Sequence, residues 1–225
     1  MKVLTCLFAV MFSISPWGSN LAANFEQSNS MEHKPKPTAA LQLLLDGNKR
    51  FSEDKTNCPD RNQVRRLATA TKQKPFAIVL GCSDSRIPPE IAFDQGIGDV
   101  FVVRVAGNVV SAVELSSIEY SAIYNDSSII MVLGHESCGA IKAVLANQTQ
   151  DIEAIANLIK PGLKSIHHSP INLVEAIEAN VQYSVEKIKR SPVIKKLMKA
   201  GKIDVVGAYY DFSTGSVRLL NKATL

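Results

Sequence analysis

The chain has 225 residues, of which 46% are hydrophobic and 20% are charged, and its formal net charge is +4. This length predicts one domain with a substantial core, and the composition excludes a disordered or fibrous protein. Basic residues are densest over 190–202 and have no interleaved aromatic residues, which argues against a nucleic-acid-binding protein. We interpret 190–202 as a solvated helix face, with a nucleic-acid or membrane patch as the less favoured alternative.

The N-terminus has the pattern of a secretory signal. Lys2 precedes an apolar run over 3–14, and small residues follow, with Ala22 and Ala23 at the expected cleavage neighbourhood. The run is too short for a comfortable membrane span. We therefore expect residues 1–23 to be a signal peptide. The mature protein is expected to be exported to the periplasm, with no stable membrane anchor. A retained anchor and a buried helix are the alternatives.

The cysteine count argues against a disulfide framework. If Cys6 leaves with the signal, the mature chain keeps the odd number formed by Cys58, Cys82 and Cys138. No Cys-x-x-Cys pair is present in the sequence, which disfavours a thiol-redox protein. Cys58 lies in a polar segment, and the sequence assigns it no chemistry.

A polar, proline-punctuated segment over 24–37 is typical of a linker, and the predicted domain covers 38–225. Thr38 is expected to cap a helical arm that runs to Phe51, with leucines on one face. A turn over 57–60 then leads to a second, short helix, which we predict over 61–71.

Continuous apolar runs in the rest of the chain predict strands that are buried on both faces, as in a parallel sheet. Strands that alternate with helices indicate an α/β domain with a mostly parallel central sheet flanked by helices. The predicted strands are 76–80, 99–105, 128–133, 203–208 and an edge strand over 216–220, and the predicted helices are 112–124, 138–146, 151–166 and 170–190.

Metal-ligating side chains follow two of these strands directly. Gly81 ends one strand and precedes Cys82, whereas Gly134 ends another and precedes His135, with Cys138 three residues further on. Open α/β sheets place their sites at the carboxyl ends of strands. Two thiolates and one imidazole are ligands that Zn²⁺ prefers, and three protein ligands leave a position for water, so the pattern predicts a catalytic zinc site.

Asp84 and Arg86 lie beside the first of these ligands. In one interpretation they form an ion pair that only stabilises the loop. In the other, Asp84 either ligates the zinc or, held away by Arg86, accepts a proton from water bound to it.

The motifs Cys82-Ser83-Asp84-Ser85-Arg86 and His135-x-x-Cys138-Gly139 closely resemble those of the β-class carbonic anhydrases. The resemblance extends over about 38–220 and includes the stretches 104–108 and 207–211. It implies reversible hydration of CO₂ to bicarbonate and a proton by a zinc-bound hydroxide. It places the zinc ligands at Cys82, His135 and Cys138, with Asp84 as the fourth ligand in a closed form, and the catalytic dyad at Asp84 and Arg86.

The resemblance also implies a substrate pocket. A plant-like group of these enzymes lines its CO₂ pocket with Gln, Phe and Tyr, which correspond to Gln73, Phe101 and Tyr120. A second group binds inhibitory bicarbonate through a Trp, and Val79 stands at that position here. We therefore expect an open zinc, with Asp84 held off it, at neutral pH.

Members of this family are dimers or larger, so the resemblance implies a homodimer or homotetramer, with Gln73 serving the partner's site. Two other functions remain open on the residues alone. A zinc hydrolase of a CO₂ analogue such as CS₂ or COS would use the same ligands. A non-catalytic zinc-stabilised binding protein would close the metal with four protein ligands and would need no Asp/Arg dyad.

Overall fold

The computed structural model describes residues 34–220, which form a five-stranded sheet with helices on both faces. The sheet order is β2-β1-β3-β4-β5; the first four strands are parallel, and β5 pairs antiparallel to β4 at one edge. The predicted α/β fold with a mostly parallel sheet is therefore confirmed. The strands are β1 (Ala77–Gly81), β2 (Val100–Arg104), β3 (Ile129–His135), β4 (Asp204–Tyr210) and β5 (Val217–Leu219).

Eight helices surround the sheet within the described range, together with one 3₁₀ turn over Ala106–Asn108. They are α1 (Pro37–Ser52), α2 (Gln63–Ala68), α3 (Pro89–Ala92), α4 (Ala112–Tyr124), α5 (Gly139–Leu145), α6 (Glu153–Leu163), α7 (Leu173–Arg190) and α8 (Pro192–Lys199). None of the helices in this part of the chain combines the length and the apolar character that crossing a membrane requires.

Side chains of the central strands alternate between two apolar layers, because successive residues of a strand point to opposite faces. Val79 of β1 packs in the layer that contains Leu41 and Leu44 of α1. Its neighbour Ile78 packs in the opposite layer, with Ile118 of α4. Every residue of β1 and β3 is buried, which explains why these strands appear in the sequence as unbroken apolar runs.

Helix α1 does not begin where the sequence predicted. Helix α1 begins at Pro37 with Lys36 as its N-cap, so Thr38 lies inside the helix and does not cap it. Proline at the first helical position is favourable because its φ is preset and its missing N–H would have no helical partner there. The linker predicted over 24–37 therefore ends before Pro37. Its first part, like the predicted signal peptide over 1–23, lies outside the described residues.

Gly134 was predicted to end a strand, but β3 continues through it to His135, which pairs with Tyr210 of β4. A Cβ on Gly134 would lie 2.5 Å from Cγ2 of Val181, on helix α7. The glycine therefore permits α7 to pack against the sheet at this point and does not terminate the strand.

The basic segment near the C-terminus forms helix α8, and Lys195, Lys196 and Lys199 are exposed on it. Ser191 separates α8 from α7, and its hydroxyl accepts a hydrogen bond from the Ile194 N–H, which caps the new helix. The lysines therefore lie on a solvated helix face.

Candidate metal centre

Neighbouring strands bring together the three side chains predicted as ligands. Cys82 follows β1, His135 is the last residue of β3, and the two strands pair in parallel, so both residues lie at the carboxyl edge of the sheet. Ser137 adopts a left-handed conformation with φ +55°, which turns the chain so that Cys138 caps helix α5. The two sulfurs and one ring nitrogen lie within 4.8 Å of one another, and all three residues are buried.

His135 is prepared to act as a ligand. Its Nδ1 lies 2.8 Å from the backbone oxygen of Glu136. Because a carbonyl oxygen can only accept, Nδ1 carries the proton and Nε2 presents a lone pair. Nε2 is buried and has no hydrogen-bond partner in the structure. A buried nitrogen with a free lone pair beside two sulfurs fits a zinc ion and is costly without one.

The two sulfurs lie close enough to shift each other's pKa. A hydrogen bond from Cys138 lowers the pKa of Cys82 well below its usual range, and burial opposes this shift. Backbone N–H groups of Asp84 and Gly107 also donate to the Cys82 sulfur, at 3.4 and 3.3 Å. The hydrogen bond to Cys82 and burial raise the pKa of Cys138. A bound dication would hold both sulfurs as thiolates.

Asp84 and Arg86 form a bidentate ion pair. The Arg86 Nε donates to one carboxylate oxygen at 2.9 Å, its terminal nitrogen donates to the other at 2.7 Å, and its backbone N–H adds a third bond at 3.0 Å. These bonds from Arg86 hold the pKa of Asp84 far below its usual range. One carboxylate oxygen lies 3.9 Å from Nε2 of His135. The carboxylate is therefore ionised, engaged by Arg86, and close to the ligand cluster.

Arg104, at the end of β2, fixes the backbone of the turn that carries the dyad. Its Nε donates to the carbonyl of Cys82 at 2.9 Å, and a terminal nitrogen donates to the carbonyl of Asp84 at 2.6 Å. On the other side of the cluster, Asn180 of α7 donates to the carbonyl of Gly107 at 2.8 Å. Two side chains from separate elements therefore hold the backbone around Cys82.

Phe212 was not predicted as a site residue, yet its ring contacts both the dyad and a ligand. The Arg86 guanidinium lies 4.2 Å from the ring centroid. The ring meets the His135 imidazole edge-on, with centroids 5.4 Å apart. Phe212 comes two residues after β4, the neighbour of β3, so the rule that sites lie at carboxyl ends of parallel strands could have identified it.

The residues predicted to line a substrate pocket lie on other elements. Phe101 of β2 and Tyr120 of α4 contact each other, with ring centroids 6.2 Å apart, and Tyr120 is 46% exposed. Gln73 is exposed between α2 and β1, where it lines an open cavity of about 400 Å³ with Ile97 and Gly98. The residues around that cavity include neither aromatic ring and none of the three ligands. The structure brings the two rings into contact, and the cavity at Gln73 does not include them.

Cys58 is exposed, and the described cysteines form no disulfide with one another. The Cys58 N–H donates to the buried carboxylate of Asp94, which also accepts from Arg50 Nε at 2.7 Å. The residue therefore belongs to a loop anchored on Asp94 and lies outside the metal cluster.

Comparison with known proteins identifies relatives over most of the chain. A family model described as carbonic anhydrase matches residues 77–217. A carbonic anhydrase of Mycolicibacterium smegmatis is 37% identical over 191 residues, which cover 81% of this chain and 93% of that protein. Among solved structures, a Coccomyxa β-carbonic anhydrase in complex with acetazolamide is 27% identical, with a TM-score of 0.65 over 79% of this chain and 84% of that chain.

A more distant structure shares the fold. One of two tetrameric β-carbonic anhydrases from Sordaria macrospora is 21% identical, with a TM-score of 0.57 over 90% of this chain and 98% of that chain.

Proposed function

The chain belongs to the β-carbonic anhydrase family, and from that premise we propose how its own residues carry out the reaction. It is a zinc-dependent carbonic anhydrase that hydrates CO₂ reversibly to bicarbonate and a proton. The observation that carries this conclusion is the buried cluster of two sulfurs and one unpartnered imidazole nitrogen at the carboxyl edge of the sheet.

Cys82, His135 and Cys138 hold the zinc ion in this proposal. When bound, zinc lowers the pKa of a coordinated water to about 7 and so supplies hydroxide near neutral pH. Arg86 keeps both oxygens of Asp84 engaged, so Asp84 would not bind the metal and solvent could reach it. The alternative in which the dyad only stabilises a loop does not explain why the carboxylate lies 3.9 Å from Nε2 of His135.

Asp84 has the properties of a proton acceptor that passes the proton onward. Its carboxylate is ionised at neutral pH because Arg86 lowers its pKa. Its side chain is 17% exposed, so it connects the buried cluster with solvent. The hydration of CO₂ by water yields bicarbonate and one proton, and Asp84 takes that proton and releases it to buffer.

The pocket residues stay part of the proposal: Phe101 and Tyr120 form an apolar wall for CO₂, and Gln73 serves the site of the partner subunit. In the single chain, Gln73 lines a cavity that includes neither ring, which supports this arrangement.

A homodimer or homotetramer is the assembly that we propose. Helix α4 exposes a set of large apolar side chains beside β2, whose four apolar residues over 100–103 are only partly buried. A contiguous apolar face of this kind is typical of an interface. The tetrameric Sordaria macrospora enzyme is a precedent within the fold. The exposed residues of α4 are Val113, Tyr120, Ile123 and Tyr124.

Export to the periplasm is also proposed, on the sequence of residues 1–23 alone. Sequencing the N-terminus of protein recovered from a periplasmic fraction tests it. A mature N-terminus near residue 23 is expected, and full-length protein confined to the cytosolic fraction would contradict the proposal.

A stopped-flow assay of the zinc-loaded protein tests the function. We expect CO₂ hydration that disappears when zinc is removed and returns when it is restored. Parallel reactions with COS and CS₂ distinguish the hydrolase alternative, which predicts that these gases are consumed while CO₂ is not. A zinc-loaded protein that leaves all three gases untouched would match a non-catalytic binding protein instead.

A further inference from the structure

The contacts of Phe212 point to a role that the dyad and the ligands do not by themselves explain. Its ring is the only described aromatic ring that contacts both the Arg86 guanidinium, at 4.2 Å, and the imidazole of a ligand, at a centroid distance of 5.4 Å. A cation within about 6 Å of an aromatic face is attracted by the ring quadrupole. The ring therefore lies between the catalytic dyad and the metal cluster.

The Arg86 side chain is 53% exposed, so protein contacts restrict only part of it. Its described hydrogen bonds all go to Asp84. The bidentate pair fixes the guanidinium relative to the Asp84 carboxylate, but none of these bonds joins Arg86 to another element of the fold. The ring of Phe212 supplies a second contact that restricts where the guanidinium can lie.

Phe212 is itself firmly placed. Its N–H donates to the carboxylate of Glu136 at 3.0 Å, and its ring meets the ring of Tyr210 edge-on at 5.4 Å. The N–H of Glu136 donates to the carbonyl of Tyr210 at 2.9 Å. The loop after β4 is thus hydrogen-bonded to the segment between His135 and Cys138, and these bonds fix the position of the Phe212 ring.

We propose that Phe212 is a positioning residue, which holds the Arg86 guanidinium so that Arg86 keeps the Asp84 carboxylate turned away from the metal ligands. This inference rests on the proposed function, because it assigns Phe212 a part in maintaining the open form of the same site. Without the ring, Arg86 moves more freely, and the carboxylate, 3.9 Å from Nε2 of His135, spends time directed at the ligand cluster.

The first test compares Phe212→Leu, which removes the ring and keeps apolar volume, with Phe212→Trp, which restores an aromatic face. We expect Phe212→Leu to lower kcat about threefold to tenfold, the range of an ordinary cation–π contact, with little change in KM, because only the fraction of open sites falls. Phe212→Trp should recover most of the activity. Zinc content should stay at one ion per chain in both variants.

A matched control is available on the other side of the same loop. Phe51 of α1 packs beside Gly215, since a Cβ on that glycine would meet the Phe51 ring at 3.2 Å. Phe51→Leu makes the identical change against the same loop without touching Arg86. If Phe51→Leu lowers kcat as much as Phe212→Leu does, loop packing explains the effect and the proposal is overturned.

A double-mutant cycle separates positioning from a general structural role. If Phe212 acts through Arg86, then adding Phe212→Leu to Arg86→Ala should cause less than a twofold further loss, far less than the same change causes in the native background. Losses that multiply in the double variant would overturn the proposal.

A readout that does not depend on activity follows the Arg86 side chain directly by ¹⁵N-edited NMR. The Nε–H signal, assigned by its disappearance in Arg86→Ala, should exchange with solvent several-fold faster in Phe212→Leu than in the native protein and in Phe212→Trp. An unchanged exchange rate would overturn the positioning role. If the native zinc protein does not hydrate CO₂, the proposed function fails, whereas this NMR comparison still decides whether Phe212 holds Arg86.

Discussion

Two edges of the sheet differ in how deeply one chain buries the side chains that lie there. At the carboxyl edge, the three ligands are buried and their surroundings are pinned by Arg104, Asn180 and backbone N–H groups. At the lateral edge, β2 is only half-buried and α4 exposes Ile123 at 49% and Tyr124 at 74%. A single chain therefore brings the three ligands together, whereas the surface near the proposed pocket residues stays exposed, which fits the proposal that a second subunit covers it.

The largest effect should come from removing a metal ligand at the carboxyl edge. Cys82→Ser replaces a buried sulfur with a weaker zinc ligand, so we expect zinc to fall well below one ion per chain and CO₂ hydration to drop by about 10³-fold or more. Elemental analysis and stopped-flow kinetics measure the two effects. The exposed Cys58→Ser is the control and should match the native protein. Native activity in Cys82→Ser would mean that the metal is held elsewhere.

A second change at the same edge should separate chemistry from metal binding. Asp84→Asn keeps the shape of the side chain but removes the charge that Arg86 binds and the group that accepts the proton. We expect turnover to fall about 10²-fold, at the lower end of the range for a general acid or base, while zinc content stays near native. Near-native hydration rates in this variant would remove Asp84 from the mechanism.

The packing of α7 against the carboxyl edge of the sheet can be tested by measuring the stability of a variant. In Gly134→Ala the new methyl group would lie 2.5 Å from Val181 Cγ2 and 3.0 Å from Ile177 Cγ2. Overpacking at such a place should reduce the free energy of unfolding by about 2 kcal/mol, measured by urea denaturation of the zinc-loaded protein. Gly139→Ala, whose methyl group meets nothing within 4 Å, is the matched control. Equal stability of the two variants would contradict the close approach of α7.

The smallest effect should be seen at the lateral edge, where α4 is exposed beside β2. Ile123→Ala truncates an exposed side chain of α4, and we expect it to weaken subunit association by about tenfold in the dissociation constant. Sedimentation over a range of protein concentrations measures this change. Val174→Ala, on α7 at 44% exposure, should leave association unchanged. If both variants associate like the native protein, or if the native protein is a monomer, the interface does not lie on α4.

The sequence predicted best those features that depend on neighbouring residues. Buried strands appear as continuous apolar runs, and Cys82 and His135 could be placed because parallel strands end at one edge of the sheet. The contact between Phe101 and Tyr120 was predicted only through the family resemblance, and their role in substrate binding stays a prediction.

Features that depend on distant parts of the chain were missed. Gly134 resembles a strand terminator until α7 is seen to pack on it. Thr38 is a good capping residue by type, but Pro37 already starts the helix. Phe212 contacts Arg86, which follows β1, because β3 lies between β1 and β4 in the sheet, and the pairing of β3 with β4 joins residues as far apart in the chain as Ile129 and Asp204.

The coordination of the metal can be measured directly by X-ray absorption at the zinc edge, on the fully loaded protein at neutral pH. We predict two sulfur ligands at about 2.3 Å and two nitrogen or oxygen ligands at about 2.0–2.1 Å, as Cys82, Cys138, His135 and one solvent position require. A zinc ion surrounded only by nitrogen and oxygen, or by three or more sulfurs, would contradict the centre described above.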